Sequence, residues 1–425
     1  MTIYNNRSFK SAKFFNSLVF RAILIAGIIF SSAFSDVKVA FASEKTPPEV
    51  GFGDKSQEAI MKERPRDPKI GVLAPISGEL KVFGEDAVDG AELAADEVNA
   101  KGGIKNNELE LLVYDTGGSM PGARLGVETF IKHRVIAVVG AATAEVSFAS
   151  NKSLNENQMI LISAGSRRRL GDTGPYNFRN TLKDKDGISG LVKHLVEKNG
   201  WKRFAILTSL VNDYSIKLTA AFKASISKTD AKLSHELYFV SSQMKNVAGD
   251  ETSLSAQVKK LHENTPDALI YTGDGDEAAD LVKEMRAQGI DIPLIGGEDL
   301  MVPAFTALGK KAEGTLIYGG FNVHSDRPNV KKFVDEFTKR YKRPPSRLAA
   351  LSYDAYMLLA DAIDRAPSLR PTHVRLALLD TKDFRGVTGK VTFDDTGEAK
   401  KDVFIFKFTK SSKGGYGFKC IVDPS

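Results

Sequence analysis

The stretch KIGVLAPISGELKVFGEDAVDGAELAADEVNAKGGI, residues 69–104, decides the fold. It opens with an aliphatic run, continues through a turn that contains proline, serine and glycine, and then carries small apolar residues at helical spacing. Ala87, Ala91 and Ala94 lie three or four positions apart, so they form one apolar face of a helix predicted over residues 86–99. The stretch therefore predicts a strand, a turn and a helix that ends in glycines.

The same alternation of strand and helix continues through both halves of the chain. Strands are predicted near residues 70–74, 109–114, 135–139 and 159–163, and again near 204–208, 233–239, 268–271, 294–295 and 316–318. Helical patterns separate them, and such alternation predicts parallel sheets with helices on both faces. We therefore predict an α/β fold with two doubly wound parallel-sheet lobes joined by a hinge. Ligands of such sheets bind outside the carboxyl ends of the strands.

The last hundred residues complete the predicted lobes. Helices are predicted over residues 328–341 and 347–365, followed by a two-stranded unit formed by residues 389–393 and 403–409. The chain is expected to cross between lobes near Thr181, Phe321 and Thr388. The N-terminal lobe then comprises residues 69–181 and 322–387, and the C-terminal lobe comprises residues 182–321 and 388–420.

The N-terminus has the pattern of an export signal. Basic residues up to Arg21 precede an apolar stretch at residues 22–34, and the small-x-small sequence Ala40-Phe41-Ala42 follows. The apolar stretch is shorter than the roughly 20 residues that a membrane-spanning helix needs. We predict a signal peptide over residues 1–42 and a periplasmic protein, with retention as an N-terminal membrane anchor as the alternative. Residues 43–68 are predicted to be a flexible leader.

Composition excludes several classes of protein. The formal charge is +6, but residues 1–42 hold five basic residues and one acidic residue, so the remainder carries only +2. This gives no basic surface of the kind that nucleic-acid binding requires. Cys420 is the only cysteine, so the chain has no internal disulfide.

No catalytic or cofactor-binding motif is present in the sequence. It contains no G-x-x-x-x-G-K-[ST] phosphate loop, no G-x-G-x-x-G after a strand and no G-x-S-x-G nucleophile elbow. The six histidines are scattered without the spacing of metal ligands. We therefore predict that the protein is not an enzyme and that it uses no cofactor or metal.

Four stretches carry a resemblance to a known family. They are residues 69–104, the small-residue turn at 138–144, the segment DALIYTGDGDEAADLVKEMRAQG at 267–289 and the IGGE sequence at 295–298. Together they resemble the type I periplasmic substrate-binding proteins of ABC transporters, specifically the leucine/isoleucine/valine-binding family. The resemblance runs from about residue 69 to residue 408.

The resemblance implies a ligand site with contributions from both lobes. Members of the family hold the ligand α-carboxylate with a hydroxyl and backbone amides, which correspond here to Thr143 and Ala144. A second loop contributes a small residue and a hydroxyl, corresponding to Gly165 and Ser166. An acid of the second lobe, corresponding to Glu298, meets the ligand ammonium. Helix N-termini favour anions, and a carboxylate favours an ammonium, so the chemistry of these positions agrees with the implied roles.

Two aromatic positions are also implied to contact the ligand. Tyr214 corresponds to an aromatic residue of the second lobe, and Phe83 to an aromatic residue presented by the loop after the first strand. Core packing is the alternative for both rings. For Glu298 the alternative is an exposed acid on a loop.

The sequence departs from the family pattern at several of these positions. Ala144 stands where a ligand-binding serine is usual, although the adjacent Thr143 offers a hydroxyl. Asp274 stands where an aromatic residue often occurs. The second loop continues into Arg167, Arg168 and Arg169. Guanidinium groups pair bidentately with carboxylates, so these arginines either recognise an extra carboxylate of the ligand or point into solvent.

The resemblance implies a monomeric solute-binding protein that delivers an amino acid, or a related small polar acid or amide, to an ABC permease in the membrane. The lobes are expected to close over the ligand by a hinge motion. A periplasmic sensor that signals to a partner receptor is the main alternative, because it also needs only two states and a ligand that favours one. An enzyme that turns over the bound compound is the third.

Overall fold

The computed structural model describes residues 4–5, 68–140, 143–167, 169–210, 213–240, 250–412 and 414–424. The predicted signal peptide and leader lie outside the described residues, except for Tyr4, Asn5 and Pro68. None of the helices in these ranges is both long and apolar enough to cross a membrane.

The first sheet contains six strands. They are β1 (Tyr4–Asn5), β2 (Lys69–Ala74), β3 (Glu110–Asp115), β4 (Ala137–Gly140), β5 (Ile160–Ser163) and β6 (Asn177–Arg179). The spatial order is β1-β3-β2-β4-β5-β6, in which β1 pairs antiparallel with β3 and all other neighbours are parallel. Strands β4 and β5 are buried along their whole length, as expected for a parallel sheet that helices cover on both faces.

The second sheet contains seven strands. They are β7 (Arg203–Ser209), β8 (Lys232–Phe239), β9 (Ala268–Thr272), β10 (Leu294–Gly296), β11 (Leu316–Gly319), β15 (Phe404–Lys410) and β16 (Tyr416–Val422). The order is β16-β15-β11-β10-β9-β7-β8, with β7 to β11 parallel and the last two strands antiparallel at one edge. The predicted fold of two parallel sheets covered by helices is confirmed.

Eleven α-helices connect or cover these strands in the described part of the chain. They are α1 (Lys81–Ala100), α2 (Met120–Lys132), α3 (Ala144–Glu156), α4 (Asp184–Glu197), α5 (Asp213–Ile226), α6 (Leu254–Lys259), α7 (Gly275–Ala287), α8 (Pro303–Thr306), α9 (Pro328–Tyr341), α10 (Arg347–Arg365) and α11 (Pro371–Leu379). Helices α9 and α10 have the predicted bounds. Helix α1 begins five residues earlier than the predicted residue 86.

A small antiparallel sheet corrects the prediction for the C-terminal strands. It consists of β12 (Phe384–Gly386), β13 (Gly389–Phe393) and β14 (Ala399–Lys401). Residues 389–393 were expected to pair with 403–409, but β13 pairs with β14, and β15 joins the second sheet beside β11. The physical reason is burial, since Val391 and Phe393 pack in the core of the first sheet and Phe404 in that of the second.

Close packing of two long helices forms the centre of the first core. Helix α10 lies against α1, and both contribute to the largest buried hydrophobic cluster. A Cβ atom on Gly90 would lie 2.0 Å from the carbonyl oxygen of Ala349, so any side chain at residue 90 would push the helices apart. The small residues in the α1 face, such as Ala91 and Ala94, therefore allow close approach of α10.

The chain passes between the sheets three times. It leaves the first sheet after β6, returns after β11 and leaves again before β15. Below, the first lobe is the first sheet with the helices packed on it, and the second lobe is the second sheet with its helices. The predicted lobe boundaries remain predictions. The packing of Val391, Phe393 and Ala399 in the first core favours a last crossing after Lys401 over one at Thr388.

A buried charged network lies next to this last crossing. The Asp354 carboxylate is fully buried and accepts from the backbone N–H groups of Val387 and Thr388, both at 2.8 Å, and from the Thr388 hydroxyl. The same hydroxyl accepts from Lys401 Nζ. Burial lowers the pKa of Lys401 to about 8, and the Asp354 carboxylate acts in the opposite direction. The network therefore joins α10, the turn at Thr388 and β14.

Replacement of Lys401 by methionine should destabilise the fold, because it leaves Asp354 without its compensating charge. We expect Lys401→Met to lower the free energy of unfolding by about 3 kcal/mol, measured by urea denaturation. The adjacent Lys400 is exposed on the same strand, and Lys400→Met should change the free energy by less than about 0.5 kcal/mol. Equal effects of the two substitutions would contradict this account.

Candidate functional site

The candidate site lies where the carboxyl ends of the parallel strands of both sheets are followed by turns. The first lobe contributes the turns after β4 and β5, and the second lobe contributes the turns after β7, β9 and β10. The predicted ligand-binding residues follow these strand ends, apart from Phe83. Parallel strands place all these turns on one edge of each sheet, so residues distant in sequence come together.

Thr143 and Ala144 form the N-terminus of helix α3. Thr143 is the N-cap residue, and its Oγ1 accepts a hydrogen bond from the backbone N–H of Val146 at 3.4 Å. Ala144 is the first helical residue. Backbone N–H groups in the first turn of a helix favour an anion. This geometry is compatible with the role implied for the two residues, which stays a prediction.

A chain of serine hydroxyls connects this helix to the second predicted loop. Ser147 Oγ donates to the carbonyl of Thr143 and lies 3.0 Å from Ser163 Oγ. Ser163 Oγ in turn accepts from the backbone N–H of Ser166 at 3.3 Å. The structure therefore brings the turn at Thr143 and Ala144 next to the loop that contains Gly165 and Ser166.

The loop at Ser166 is fixed against the first crossing by a buried ion pair. Ser166 is fully buried, and its carbonyl accepts from the Thr181 hydroxyl at 2.8 Å. Arg179 donates to the same carbonyl at 3.3 Å and pairs with the buried carboxylate of Glu398 at 2.6 Å. Glu398 also accepts from the backbone N–H of Leu170 at 2.7 Å. The loop therefore holds its shape through charged groups that sequence analysis did not identify.

Arg167 extends from this loop to the second lobe. Its Nη1 donates to the hydroxyl of Tyr214 at 2.8 Å and to Asp299 Oδ2 at 2.5 Å, and its Nη2 donates to Glu298 Oε1 at 3.2 Å. Asp184 Oδ1 lies 4.0 Å from Nη1. Burial alone would lower the pKa of Arg167, but the surrounding acids and Tyr214 raise it well above its ordinary value. Arg167 therefore remains charged and forms an electrostatic contact between the lobes.

Glu298 is the acid on which the cations of the first lobe converge. Its Oε1 accepts from Nη2 of Arg167 at 3.2 Å and forms an ion pair with Nε of Arg347, also at 3.2 Å, and its Oε2 accepts from the backbone N–H of Gly320 at 3.0 Å. Burial alone would raise the pKa of Glu298, but Arg347, Arg167 and the N–H of Gly320 lower it below its ordinary value. The structure thus brings three of the predicted residues, Arg167, Tyr214 and Glu298, into one cluster.

Two other predicted residues lie apart from this cluster. Phe83 is in the first turn of α1 and is 54% exposed. Asp274 is an exposed N-cap residue, whose side chain accepts from the backbone N–H of Glu277 at 2.8 Å to begin helix α7. Of the two further arginines, Arg169 is exposed and pairs with Asp172 at 3.3 Å, and Arg168 lies outside the described residues.

Sequence analysis missed three charged residues of the cluster: Arg347, Asp299 and Asp184. Asp184 accepts from the hydroxyls of Tyr214 and Tyr318, both at 2.9 Å, and so positions both rings. One feature of the sequence could have indicated a role for Arg347. It occupies the first position of α10, where the helix dipole disfavours a cation. A cation in that position is explained by the ion pair with Glu298.

The geometry and the charges define a two-lobed binding protein. Acids, guanidinium groups and phenolic hydroxyls from both lobes converge between them, and buried hydrogen-bonding groups of this kind can orient a small polar solute. A family model described as periplasmic binding protein matches residues 67–415. The chain belongs to the periplasmic binding protein family, whose members are solute-binding proteins.

Known proteins similar to this chain carry consistent descriptions. It is 26% identical over 347 residues to the Leu/Ile/Val-binding protein BraC3 of Rhizobium johnstonii, covering 80% of this chain and 90% of the relative. It is 24% identical over 339 residues to the Leu/Ile/Val-binding protein of Escherichia coli, covering 79% and 88%. A solved structure of the branched-chain amino acid transporter substrate binding protein LivJ of Streptococcus pneumoniae, in complex with isoleucine, superposes with a TM-score of 0.66. That comparison has 27% identity and covers 84% of this chain and 100% of the other.

The lowered pKa of Glu298 makes the contact between the lobes sensitive to acid. We expect Glu298→Gln to lower the free energy of unfolding at pH 7 by about 2 kcal/mol, less than for a fully buried pair because the arginines are partly exposed. A carboxylate whose pKa is lowered on folding stabilises the protein above its unfolded pKa. The difference between the two proteins should therefore be constant above about pH 5 and shrink as the pH falls through and below 4.5, the ordinary value.

The measurement is urea denaturation of both proteins between pH 3 and pH 8. Glu79 is exposed in the turn after β2, so Glu79→Gln serves as the matched control and should show no such difference. A difference between wild type and Glu298→Gln that stays the same down to pH 3 would show that the ion pairs do not depend on the charge of Glu298.

Proposed function

We propose that this chain is the extracytoplasmic solute-binding protein of an ABC transporter, which binds an amino acid or a related small polar acid or amide between its lobes. The observation that carries the proposal is the convergence of charged and hydrogen-bonding groups from both lobes at the carboxyl ends of the strands. Family membership and the Leu/Ile/Val-binding relatives support it.

The arrangement of the first lobe supports a carboxylate on the ligand. The N-terminus of α3 at Thr143 and Ala144 offers backbone N–H groups and a helix dipole to an anion. Gly165 and Ser166 lie beside this helix through the hydrogen bonds of Ser163. We therefore assign these four residues to the carboxylate end of the ligand, and Tyr214 and Glu298 to the part that contacts the second lobe. Phe83 and Asp274 stay predictions.

Delivery to a permease and a location in the periplasm belong to the same proposal. The lobes make polar contacts across the cleft through Arg167, and groups of this kind separate when the lobes move apart. A ligand that makes contacts with both lobes favours the state in which they are together. The surface of that state would distinguish loaded from empty protein for a permease. We also propose that the signal peptide is removed after Ala42.

Thermal unfolding of the chain from residue 43 onward against a panel of small solutes tests this function. The protein is first unfolded and refolded to remove any ligand acquired during expression. A ligand at a thousand times its dissociation constant should add about 4 kcal/mol to the free energy of unfolding, which raises the melting temperature by several degrees. We expect such a rise with at least one amino acid, amide or small carboxylate.

For any compound that raises the melting temperature, its methyl ester is the matched control. The methyl ester has the same skeleton without the carboxylate charge, so it should lose most of the stabilisation. If none of the compounds raised the melting temperature of the refolded protein, the proposed class of ligand would be wrong.

A further inference from the structure

The guanidinium group of Arg167 lies where the second lobe presents its acids. Only 18% of the side chain is exposed, and it contacts Tyr214, Glu298 and Asp299, with Asp184 at 4.0 Å. Arg167 therefore supplies, from the protein itself, a positive charge with several hydrogen-bond donors. A ligand ammonium group would have the same charge and the same need for acceptors.

Glu298 is already paired with two cations. One carboxylate oxygen accepts from Arg167 and is ion-paired with Arg347, and the other accepts from the backbone N–H of Gly320. An ammonium group placed at Glu298 would compete with these three groups for the two carboxylate oxygens. It would also lie next to two guanidinium groups, and like charges in a partly buried site repel each other strongly.

We propose that Arg167 takes the place of a ligand ammonium group, so that the cleft selects carboxylates without an α-ammonium group over the matching amino acids. The class comprises 2-oxo acids and 2-hydroxy acids. This inference rests on the proposed function, because it requires that the cleft binds a small carboxylate. The predicted ligands, amino acids and related small acids or amides, are thereby reduced to the acids that lack an α-ammonium group.

Arg347 supports an anionic ligand with a second guanidinium group at the same carboxylate oxygen of Glu298. Its Nε lies 3.2 Å from Glu298 Oε1 in an ion pair, and the side chain is 32% exposed. Within the described residues, the structure gives no hydrogen bond from its two terminal amino groups to another side chain. The two terminal amino groups of a guanidinium form a fork that matches a carboxylate. An anion placed beside the Arg347 guanidinium is attracted to it, whereas a cation placed there is repelled.

The neighbouring arginine gives a matched control. Arg169 is two residues away, but its side chain is 56% exposed and pairs with Asp172 outside the cluster. Arg169→Ala removes the same charge from the same loop and leaves the contacts of Glu298 and Asp299 intact. Effects of Arg167→Ala that Arg169→Ala does not reproduce therefore arise from the position of the guanidinium and not from the net charge.

The test is isothermal titration calorimetry with pairs of compounds that share a carbon skeleton. The probes are leucine, phenylalanine and glutamate, each with its 2-oxo and 2-hydroxy counterpart. We expect the wild-type protein and Arg169→Ala to bind at least one 2-oxo or 2-hydroxy acid about tenfold more tightly than the matching amino acid. In Arg167→Ala, Glu298 and Asp299 lose the Arg167 guanidinium as a partner. The amino acid should then bind more tightly than its 2-oxo or 2-hydroxy counterpart. Arg167→Lys retains the charge and should keep the wild-type order, which covers the case in which the alanine variant does not fold.

Three results would overturn the inference. If the wild-type protein bound amino acids more tightly than their counterparts, the selectivity would be wrong, and the proposed function would stand. If Arg167→Ala kept the wild-type order, Arg167 would not be its source. If no compound bound to any of the folded variants, the proposed function would fail, and this inference with it.

Discussion

The contact between the two lobes depends on the charged groups around Glu298. This residue belongs to the second lobe, yet its oxygens form ion pairs with two arginines of the first lobe and accept from the backbone N–H of Gly320. A carboxylate removed from water is costly unless it is paired and fully hydrogen-bonded. These contacts offset that cost only while the lobes are close. The position of the first lobe relative to the second is therefore coupled to the charge state of one side chain.

Two further charged networks hold the segments that connect the lobes. Arg179 and Glu398 form a fully buried ion pair beside the first crossing, and Asp354 and Lys401 share the hydroxyl of Thr388 beside the last. Each network gains its hydrogen bonds from backbone groups near a crossing as well as from side chains. Such networks define one geometry, because any displacement leaves a buried charge without a partner. Both hold segments at the crossings, and the Arg179–Glu398 network also fixes the loop that carries Arg167.

The fold was more accessible to sequence analysis than the site was. Periodicity predicts helices α9 and α10 and the parallel strands, because the spacing of apolar residues within each segment shows which face is buried. Tyr214 and Glu298 were identified through resemblance, and Arg167 through its departure from the family pattern. Arg347 and Asp184 were missed because a lone arginine or aspartate at a helix start has many structural explanations. The partnership of β13 with β14 was missed because alternation shows that a strand is half-buried and not which strand lies next to it.

The sequence by itself determined that this chain forms two α/β lobes, with turns after the parallel strands. That information is local, because strand and helix periods and the glycines at turns act within a few residues. Only the tertiary structure decided that Arg167 contacts Glu298 across 131 residues, and that Arg347 contacts the same carboxylate. The physical reason is that an ion pair depends on distances of a few ångströms between side chains. Those distances exist only after the sheets, their helices and the crossings have been placed relative to one another.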